Sequence, residues 1–329
     1  MDLPVEGPIS PMLAKLQTEI PAGEGWLYEP KWDGFRSIVF RDGDEVQIWS
    51  RQEKPLNRYF PELPAILRAS LPERSVVDGE IIVSVDGKLD FDALQLRIHP
   101  AASRAEKLSQ EIPAGFVAFD LLAIDDRDLM ATPFAERREL LEKHLTTTAE
   151  VSVTPQTSDL AAARAWLQSD GGIGLEAGLI AKQTDLLYKP KSRAMVKVKK
   201  LRTADTVVGG YRLNKAGDGV GALLLGVYDG DVLQYVGHTS SFKAAERRDL
   251  LELMRSIEGG ESFGKGRSPG GQSRWASAKE DPWIAVEPKL VCEVSFDKMQ
   301  QERFRHAATF LHWRTDKAPE ECTWDQLTA

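Results

Sequence analysis

The chain has 329 residues, 42% of them hydrophobic and 28% charged, the composition of a globular protein with room for two domains. It contains no apolar run of about 18 residues and only two cysteines, Cys292 and Cys322, so a membrane-spanning helix, a zinc finger and a disulfide scaffold are excluded. The N-terminal residues lack the basic and apolar segments of a signal peptide, so we expect a cytoplasmic protein.

Predicted strands and helices alternate in residues 1–200 without the regular repeat of a doubly wound sheet. Strands are predicted at 36–40, 46–49, 76–85 and 116–124, and helices at 133–145 and 160–167. The first two strands are joined by Asp42-Gly43-Asp44, a hairpin signal. These elements indicate a mixed α+β domain.

After residue 200 the pattern changes to short strands around one amphipathic helix. Strands are predicted at 205–213, 220–228, 232–238, 290–296 and 309–313, the helix at 243–257, and a glycine-rich basic loop at 259–275. Such a set fits a small barrel, and the five-stranded oligonucleotide-binding barrel is the candidate. We therefore expect two domains, at 1–200 and 201–329.

The net charge of −8 by itself argues against a nucleic-acid partner. The charge is unevenly distributed, however, because residues 189–202 read KPKSRAMVKVKKLR, with seven basic residues and no acid. Such a stripe can hold phosphate groups within an acidic protein, or it can be an ordinary solvated face. Composition leaves both interpretations open.

Lys31 lies two residues before Asp33-Gly34 in the segment EPKWDGFR. A lysine at a strand-to-turn junction can act as a nucleophile once it is neutral, a form that burial and neighbouring cations favour. The pattern K-x-D-G alone would occur by chance in about one such chain in ten. Its significance depends on the motifs that follow it.

An ordered series of short motifs follows Lys31. They are Ser50-Arg51, Asp78-Gly79-Glu80, the strand FVAFDL with Phe119, EAGLIAK at 176–182, Lys197 and Lys199 at alternate positions, and WRTDK at 313–317. This order resembles the motif series of the covalent nucleotidyltransferases: DNA ligases, RNA ligases and capping enzymes. Segments such as SPMLAK, RYFPEL, LDFDALQLRIHPAASR and FRHAATFLHWR further resemble the bacterial ligase C group, which is close to the ligase domain of ligase D.

The resemblance covers nearly the whole chain and implies an ATP-dependent DNA ligase acting in DNA repair. The implied fold is α+β, with an ATP-grasp-like nucleotidyltransferase domain followed by the oligonucleotide-binding (OB) barrel. The implied reaction passes AMP from Lys31 to the 5′-phosphate at a nick in duplex DNA, with Mg²⁺, or Mn²⁺, as the metal. Lys31 stands too near the start for a large DNA-encircling domain ahead of it, and the missing cysteine clusters argue against the NAD-dependent ligases.

The resemblance also assigns roles to single residues. Lys31, Asp33, Arg36, Lys197 and Lys199 form the implied catalytic set. Glu29 would contact the adenine amino group, Phe119 would stack on the base, and Glu80 would hold the ribose. Arg36 and Arg51 would hold the phosphates, and Lys197 and Lys199 would hold the α-phosphate. Lys182 would belong to the same nucleotide site. Arg314 and Lys317 would orient the leaving pyrophosphate, and Asp33 and Glu176 would be the metal-linked carboxylates. A monomer is expected, with a primase-polymerase or the end-binding protein Ku as candidate partners.

Two motifs depart from the family pattern. The last motif has Thr315 where a proline is usual and His312 where another arginine is usual, but it keeps Asp316 and Lys317. The fourth motif has its acid, Glu176, six residues before the lysine instead of five. Because strand side chains alternate between faces, we expect a β-bulge at Ala177-Gly178 to absorb the extra residue and to direct Glu176 at the metal.

Two other functions remain open at this point. The first is an RNA ligase or a GTP-using capping enzyme, and the second is a non-catalytic DNA-binding module with a decayed site. Phe119 could be an ordinary core residue and Asp78-Gly79 an ordinary turn, although the ordered series favours functional roles. His306 and His312 lack metal-ligand spacing, so structural roles are expected for them.

Overall fold

The computed structural model describes residues 1–168, 178–269 and 282–328. The chain divides into two compact units, residues 1–200 and residues 201–329. In these described ranges no helix is long and apolar enough to cross a membrane.

The first unit contains two main sheets with helices packed outside them. Its strands are β1 (Leu13–Gln17), β2 (Trp26–Pro30), β3 (Phe35–Asp42), β4 (Glu45–Ser50), β5 (Arg74–Ile82), β6 (Ser84–Val85), β7 (Lys88–Leu89), β8 (Gly115–Ile124), β9 (Arg127–Asp128), β10 (Val151–Val153), β11 (Leu179–Gln183) and β12 (Arg193–Val198). Its helices are α1 (Leu63–Ser70), α2 (Phe91–Leu96), α3 (Ala102–Glu111), α4 (Phe134–His144) and α5 (Leu160–Gln168), with a 3₁₀ turn at Asn57–Tyr59.

The two sheets of the first unit face each other. The smaller one has the strand order β1-β12-β11-β2, and the larger one has the order β10-β8-β5-β3-β4, with β9 paired to β8. Apolar side chains of both sheets share one buried cluster, to which Ile38 and Leu122 contribute from the larger sheet and Met195 and Ile180 from the smaller one. Burial of such facing surfaces holds the two sheets together.

The outer face of the larger sheet is covered by helices. Leu63 and Leu67 of α1 and Leu141 of α4 are buried against Ile48 and Val77 of the strands. Helix α2 begins at Asp90, whose carboxylate accepts a hydrogen bond from the Ala93 amide at 2.8 Å, the usual N-cap arrangement. The opposite face of the larger sheet faces the smaller sheet and the cleft between the two sheets.

The strands and helices predicted in this unit are present. The hairpin β3–β4 turns at Gly43, which has φ of 60°. The strand predicted at 76–85 is instead two strands, because β5 ends at Ile82 and Ser84–Val85 forms a small separate hairpin with Lys88–Leu89.

The second unit is a small β-barrel with one long helix. Its elements are β13 (Arg202–Leu213), β14 (Val220–Asp229), β15 (Val232–Thr239), α6 (Ala244–Arg255), β16 (Ile284–Ala285), β17 (Val291–Phe296), β18 (Met299–Gln300), β19 (Arg303–Phe304), β20 (Thr309–Trp313), a 3₁₀ turn at Pro319–Glu321 and α7 (Asp325–Thr328). Five strands follow the order β15-β14-β13-β17-β20, and β16 pairs with β13. A parallel bridge between Thr239 and Ala308 joins the two ends of this order.

The interior of the barrel is apolar and closed by α6. Val208, Leu223, Val236 and Val294 come from four different strands, and Met254 of α6 is fully buried with them. A five-stranded barrel whose two ends meet in a parallel bridge and whose interior is covered by one helix has the architecture of the OB fold. The α+β class and the OB barrel expected from the sequence are therefore confirmed.

Candidate active site

A pocket opens between the two sheets of the first unit. Its wall is formed by Pro11, Leu13, Ala14, Glu29, Pro30, Lys31, Trp32, Arg36, Arg51, Glu80, Phe119, Ile180, Lys182, Arg193, Met195 and Lys197. Residues distant in sequence converge here because β2, β11 and β12 present one wall and β3, β5 and β8 present the other.

Lys31 enters the pocket where β2 ends. Its backbone N–H donates to the Gly178 carbonyl at 2.9 Å, which ties the end of β2 to the start of β11. Gly178 has φ of 112°, and a Cβ there would lie 2.1 Å from the Val198 carbonyl oxygen. Gly34 is equally confined, since a Cβ added there would lie 2.2 Å from the Ile81 carbonyl oxygen. Both glycines allow the close backbone approach that fixes the segment around Lys31.

Phe119 is directed by a β-bulge. Asp78 pairs with Asp120 and Gly79 pairs with Ala118, so Phe119 is the extra residue of β8 at this register shift. A bulge re-aims a side chain that regular alternation would place elsewhere. Gly79 permits it, because a Cβ there would lie 2.2 Å from the Phe116 ring. Phe119 therefore lines the pocket instead of filling the core of the sheet.

Arg36 is held by a buried acid. Its Nε and Nη2 each lie 2.7 Å from a carboxylate oxygen of Asp78, and its guanidinium carbon lies 4.6 Å from the centre of the Phe119 ring. The Tyr188 hydroxyl donates to Asp78 at 2.5 Å and accepts from the Met12 amide at 3.1 Å. Burial, reinforced by Asp78, raises the pKa of Tyr188 well above its usual value, so the hydroxyl remains a donor.

Glu29 is buried and surrounded by donors. The Lys182 ammonium lies 2.8 Å from one carboxylate oxygen, while Arg138 at 3.3 Å and Gln156 at 3.0 Å donate to the other. The same ammonium of Lys182 lies over the rings of Phe119 and Phe134, at 5.1 and 4.3 Å from their centres. These donors fix the orientation of the Glu29 carboxylate at the pocket wall.

Glu80 lies beside Arg36 across the β3–β5 ladder. Burial raises the pKa of Glu80 to about 7, although the positive charges of Arg36 and Lys31 oppose the rise. Asp78 and Asp33 contribute to it by repulsion. Asp33 itself is 7% exposed. The carboxylates of Glu80, Asp78 and Asp33 therefore lie close to the positive charges of Arg36 and Lys31.

The positive charges of the pocket concentrate around Lys197. Burial lowers the pKa of Lys197, and repulsion from four cations lowers it further; these cations are Lys199, Lys31, Arg51 and Arg193. Such a concentration of charge disfavours additional protons and favours an anionic ligand.

The two predicted residues of the last motif belong to the second unit. Arg314 and Lys317 both pair with Asp205, with nitrogen–oxygen distances of 2.9 and 2.7 Å. Arg314 also pairs with Asp316 at 2.9 Å.

The structure thus brings together most of the predicted nucleotide-site residues. Glu29, Lys31, Arg36, Arg51, Glu80, Phe119, Lys182 and Lys197 line one pocket. Asp33 and Lys199 act electrostatically on Glu80 and Lys197. Glu176 and the bulge expected at Ala177 fall outside the described residues, although Gly178 does have the positive φ. His306 and His312 are exposed and pair with Asp297 and Glu293.

Several residues that line the pocket of the first unit, or that hold predicted residues in either unit, were not predicted from the sequence. Arg193 lines the pocket within the basic stripe, and its position four residues before Lys197 on β12 was the available signal. Tyr188, Arg138, Gln156 and Asp205 support predicted residues from distant segments. No local pattern marks these four, because their partners lie far away in sequence.

A cleft that combines Lys31 at the end of a strand with several further cations, an aromatic ring and buried carboxylates, followed in the chain by an OB barrel, is the arrangement of a nucleotidyltransferase of the ligase and capping-enzyme class. A model of the ATP dependent DNA ligase domain matches residues 11–199, and a model of the ATP dependent DNA ligase C terminal region matches residues 216–317. The chain therefore belongs to the family of ATP-dependent DNA ligases.

Curated relatives with similar sequences are also DNA ligases. DNA ligase C2 of Mycolicibacterium smegmatis is 48% identical over 99% of this chain and 96% of the relative. DNA ligase C of Mycobacterium tuberculosis is 47% identical over the same shares of the two chains. The multifunctional non-homologous end joining DNA repair protein LigD of M. tuberculosis is 30% identical over 95% of this chain but only 39% of its own length.

Solved structures support the fold. A structure described as a Lig E DNA ligase, 17% identical, covers 93% of this chain and all of its own with a TM-score of 0.55. The relation to the ligase C group and to the ligase domain of LigD, expected from the sequence, is confirmed by the curated relatives.

Proposed function

We propose that this chain adenylates itself on Lys31 and uses the adenylate to seal nicks in duplex DNA. The observation that carries the proposal is the convergence of Lys31 with Lys197, Arg36 and Glu29 on one pocket between two sheets. Residues 1–200 would be the adenylation domain and residues 201–329 the OB domain.

Three phosphoryl transfers make up the reaction. The neutral amine of Lys31 attacks the α-phosphorus of ATP, an N–P bond forms, and the bond to pyrophosphate breaks. An oxygen of the DNA 5′-phosphate then attacks the same phosphorus and releases the amine. Finally the 3′-hydroxyl attacks the 5′-phosphorus, loses its proton and displaces AMP. Such transfers depend on positioning and charge neutralisation.

The cations of the pocket supply both effects. Lys197, Lys199 and Arg51 would hold the phosphates, and the field that lowers the pKa of Lys197 also disfavours a proton on a neighbouring amine. Arg193 adds to this field from the same wall. Arg36, fixed by Asp78, would present its remaining N–H groups to phosphate oxygens.

Adenine recognition would fall to Glu29, Phe119 and Lys182. The Glu29 carboxylate, held in place by Lys182 and Arg138, can accept from the exocyclic amino group of adenine, whereas guanine presents a carbonyl oxygen at the equivalent position. Phe119 would stack on the base, and Glu80 would hold the ribose. The chain would therefore prefer ATP to GTP.

The chemistry of Asp33, beside the pocket, suits Mg²⁺. The described residues contain no group of three or more potential metal-ligating side chains, but Mg²⁺ usually takes one or two carboxylates together with substrate phosphates. Asp33, nearly buried next to Glu80, would hold it, with Glu176 as the second carboxylate. When bound, Mg²⁺, or Mn²⁺ in its place, neutralises charge on the transferred phosphate.

The second unit would contribute Arg314 and Lys317 to the leaving pyrophosphate. These residues should matter for self-adenylation and little for later steps, in which pyrophosphate is absent. The expected partner is nicked duplex DNA, bound by a monomer; the relation to LigD makes Ku or a primase-polymerase candidate partners.

Incubation with α-labelled ATP and then with nicked duplexes tests the proposal. Wild-type protein should carry the label, and Lys31→Ala should not, while Lys31→Ala should still seal a pre-adenylated nick to some extent. Lys15→Ala, an exposed lysine on β1, is the matched control. Label retained on Lys31→Ala would refute the assignment, and sealing of nicked RNA in preference to DNA would refute the substrate.

A further inference from the structure

Arg314 and Lys317 share one acid on another strand. Nη1 of Arg314 donates to both carboxylate oxygens of Asp205, at 2.9 and 3.0 Å, and Nζ of Lys317 donates to one of them at 2.7 Å. The opposite edge of the Arg314 guanidinium donates to Asp316 at 2.9 Å from Nε and from Nη2. Asp205, on β13, therefore fixes the position of the Arg314 and Lys317 side chains relative to each other.

Asp205 is itself held firmly. The side chain of Gln326 accepts from its backbone amide at 2.9 Å and donates to its backbone carbonyl at 2.9 Å. The Asp205 side chain is 12% exposed, whereas those of Arg314 and Lys317 are 27% and 24% exposed. A nearly buried, doubly tethered acid thus holds two cations that remain accessible to a ligand.

Stability alone is a weak reason for this arrangement. Ion pairs with such accessible cations typically contribute little to folding. A lysine side chain has a long flexible stem, and ordering it when a ligand arrives weakens binding. A carboxylate that already holds the ammonium and the guanidinium in one geometry reduces that cost, as supporting residues do at preorganised sites.

We propose that Asp205 is the positioning residue for Arg314 and Lys317, and that it sets their geometry for the pyrophosphate end of ATP. This inference rests on the proposed function, which assigns those two cations to pyrophosphate. Asp205 would not touch the nucleotide. It would keep the two cations a fixed distance apart, so that both engage one pyrophosphate group.

The test compares Asp205→Asn, Asp205→Glu, Arg314→Ala and Lys317→Ala with wild type. Glu293→Gln is the matched control, since Glu293 lies on the neighbouring β17 and pairs with exposed His312. Three rates are measured: self-adenylation against ATP concentration, discharge of the adenylate by pyrophosphate, and sealing of a pre-adenylated nick. Denaturant midpoints are recorded for every variant.

Asp205→Asn should lower self-adenylation about tenfold or more and raise the apparent KM for ATP and for pyrophosphate. Sealing of a pre-adenylated nick should stay within about twofold, Asp205→Glu should recover part of the loss, and Glu293→Gln should match wild type.

The outcomes separate the inference from its premise. If Arg314→Ala and Lys317→Ala adenylate normally, the proposed pyrophosphate role is wrong. If those two variants fail but Asp205→Asn adenylates at the wild-type rate or faster, Asp205 does not position them. Equal loss of all three rates in Asp205→Asn with a lower denaturant midpoint would show a purely structural role and would also overturn the inference.

Discussion

Arg36 and Asp78 meet in a two-point ion pair, with both nitrogen–oxygen distances at 2.7 Å, on adjacent strands of the larger sheet. The pair is diagonal across the β3–β5 ladder, where Arg36 lies opposite Glu80. Asp78 is fully buried and Arg36 is partly exposed, so the acid anchors the guanidinium from the core side and leaves its other side toward the pocket.

Asp78→Asn should impair nucleotide binding through Arg36. Loss of the charge leaves the guanidinium without its main partner, so we expect self-adenylation to fall by about tenfold or more and the apparent KM for ATP to rise. Tyr188→Phe removes one donor to Asp78 but keeps the ion pair, so the loss of self-adenylation should be smaller than in Asp78→Asn. Its free energy of unfolding should fall by about 1 kcal/mol. Rates and denaturant midpoints of both variants check this order, and a larger defect in Tyr188→Phe would contradict it.

Phe119→Leu should weaken ATP binding while leaving the fold intact. A leucine still covers the pocket wall but cannot stack on a base, and stacking contributes about 1–3 kcal/mol per base. The apparent KM for ATP in self-adenylation should rise by about tenfold, with a nearly unchanged denaturant midpoint. Phe116→Leu, in the core of the same strand, is the control and should show the opposite pattern. An unchanged KM in Phe119→Leu would place the base elsewhere.

Gly79→Ala should destabilise the first unit and displace Phe119. The added methyl would meet the Phe116 ring at 2.2 Å and the Val117 carbonyl at 2.6 Å, so we expect a loss of about 2–3 kcal/mol in the free energy of unfolding. Gly43→Ala, at a turn with open space around it, should cost only about 1 kcal/mol of backbone strain. Equal losses in urea unfolding would mean that the bulge tolerates a side chain.

Glu80 should make the folded protein less stable as the pH rises through neutrality. Its pKa is about 7 in the fold against an ordinary value of 4.5, so between these values the folded protein keeps a proton that the unfolded chain has lost. The stabilising contribution is therefore complete below pH 4.5 and disappears as the pH rises through about 7, by roughly 3 kcal/mol at most. Glu80→Gln should flatten this part of the pH–stability curve, and exposed Glu24→Gln should not. A curve for Glu80→Gln that follows wild type would rule out Glu80 as the source.

Glu176→Ala should change the metal dependence of sealing. If the residue is the second metal-linked carboxylate, its loss should raise the concentration of Mg²⁺ needed for half-maximal sealing by about tenfold, with partial recovery in Mn²⁺. Titration of both metals against wild type and against exposed Glu150→Ala measures the effect. Unchanged sealing at every metal concentration would mean that Glu176 is not a ligand.

Local chemistry in the sequence determined the elements and the motif residues. The Asp42-Gly43-Asp44 turn, the alternating strands and each single motif are short-range patterns that depend on neighbours a few residues apart, and the order of the motifs from Lys31 to Lys317 is read along the chain. Alternation along a strand also predicted that Lys197 and Lys199 share a face. The nucleotidyltransferase fold with its barrel and the DNA ligase family came from the resemblance that these motifs carry.

Only the tertiary structure decided which residues support the motifs. Register across β5 and β8 created the bulge that directs Phe119, and alternation within β8 contains no sign of it. Asp78 holds Arg36, Gln156 holds Glu29 and Asp205 holds the Arg314–Lys317 pair, across separations of 42 to 127 residues in the sequence. Hydrogen bonds and ion pairs act over a few ångströms in space whatever the separation along the chain, so such partners appear only once the strands are packed.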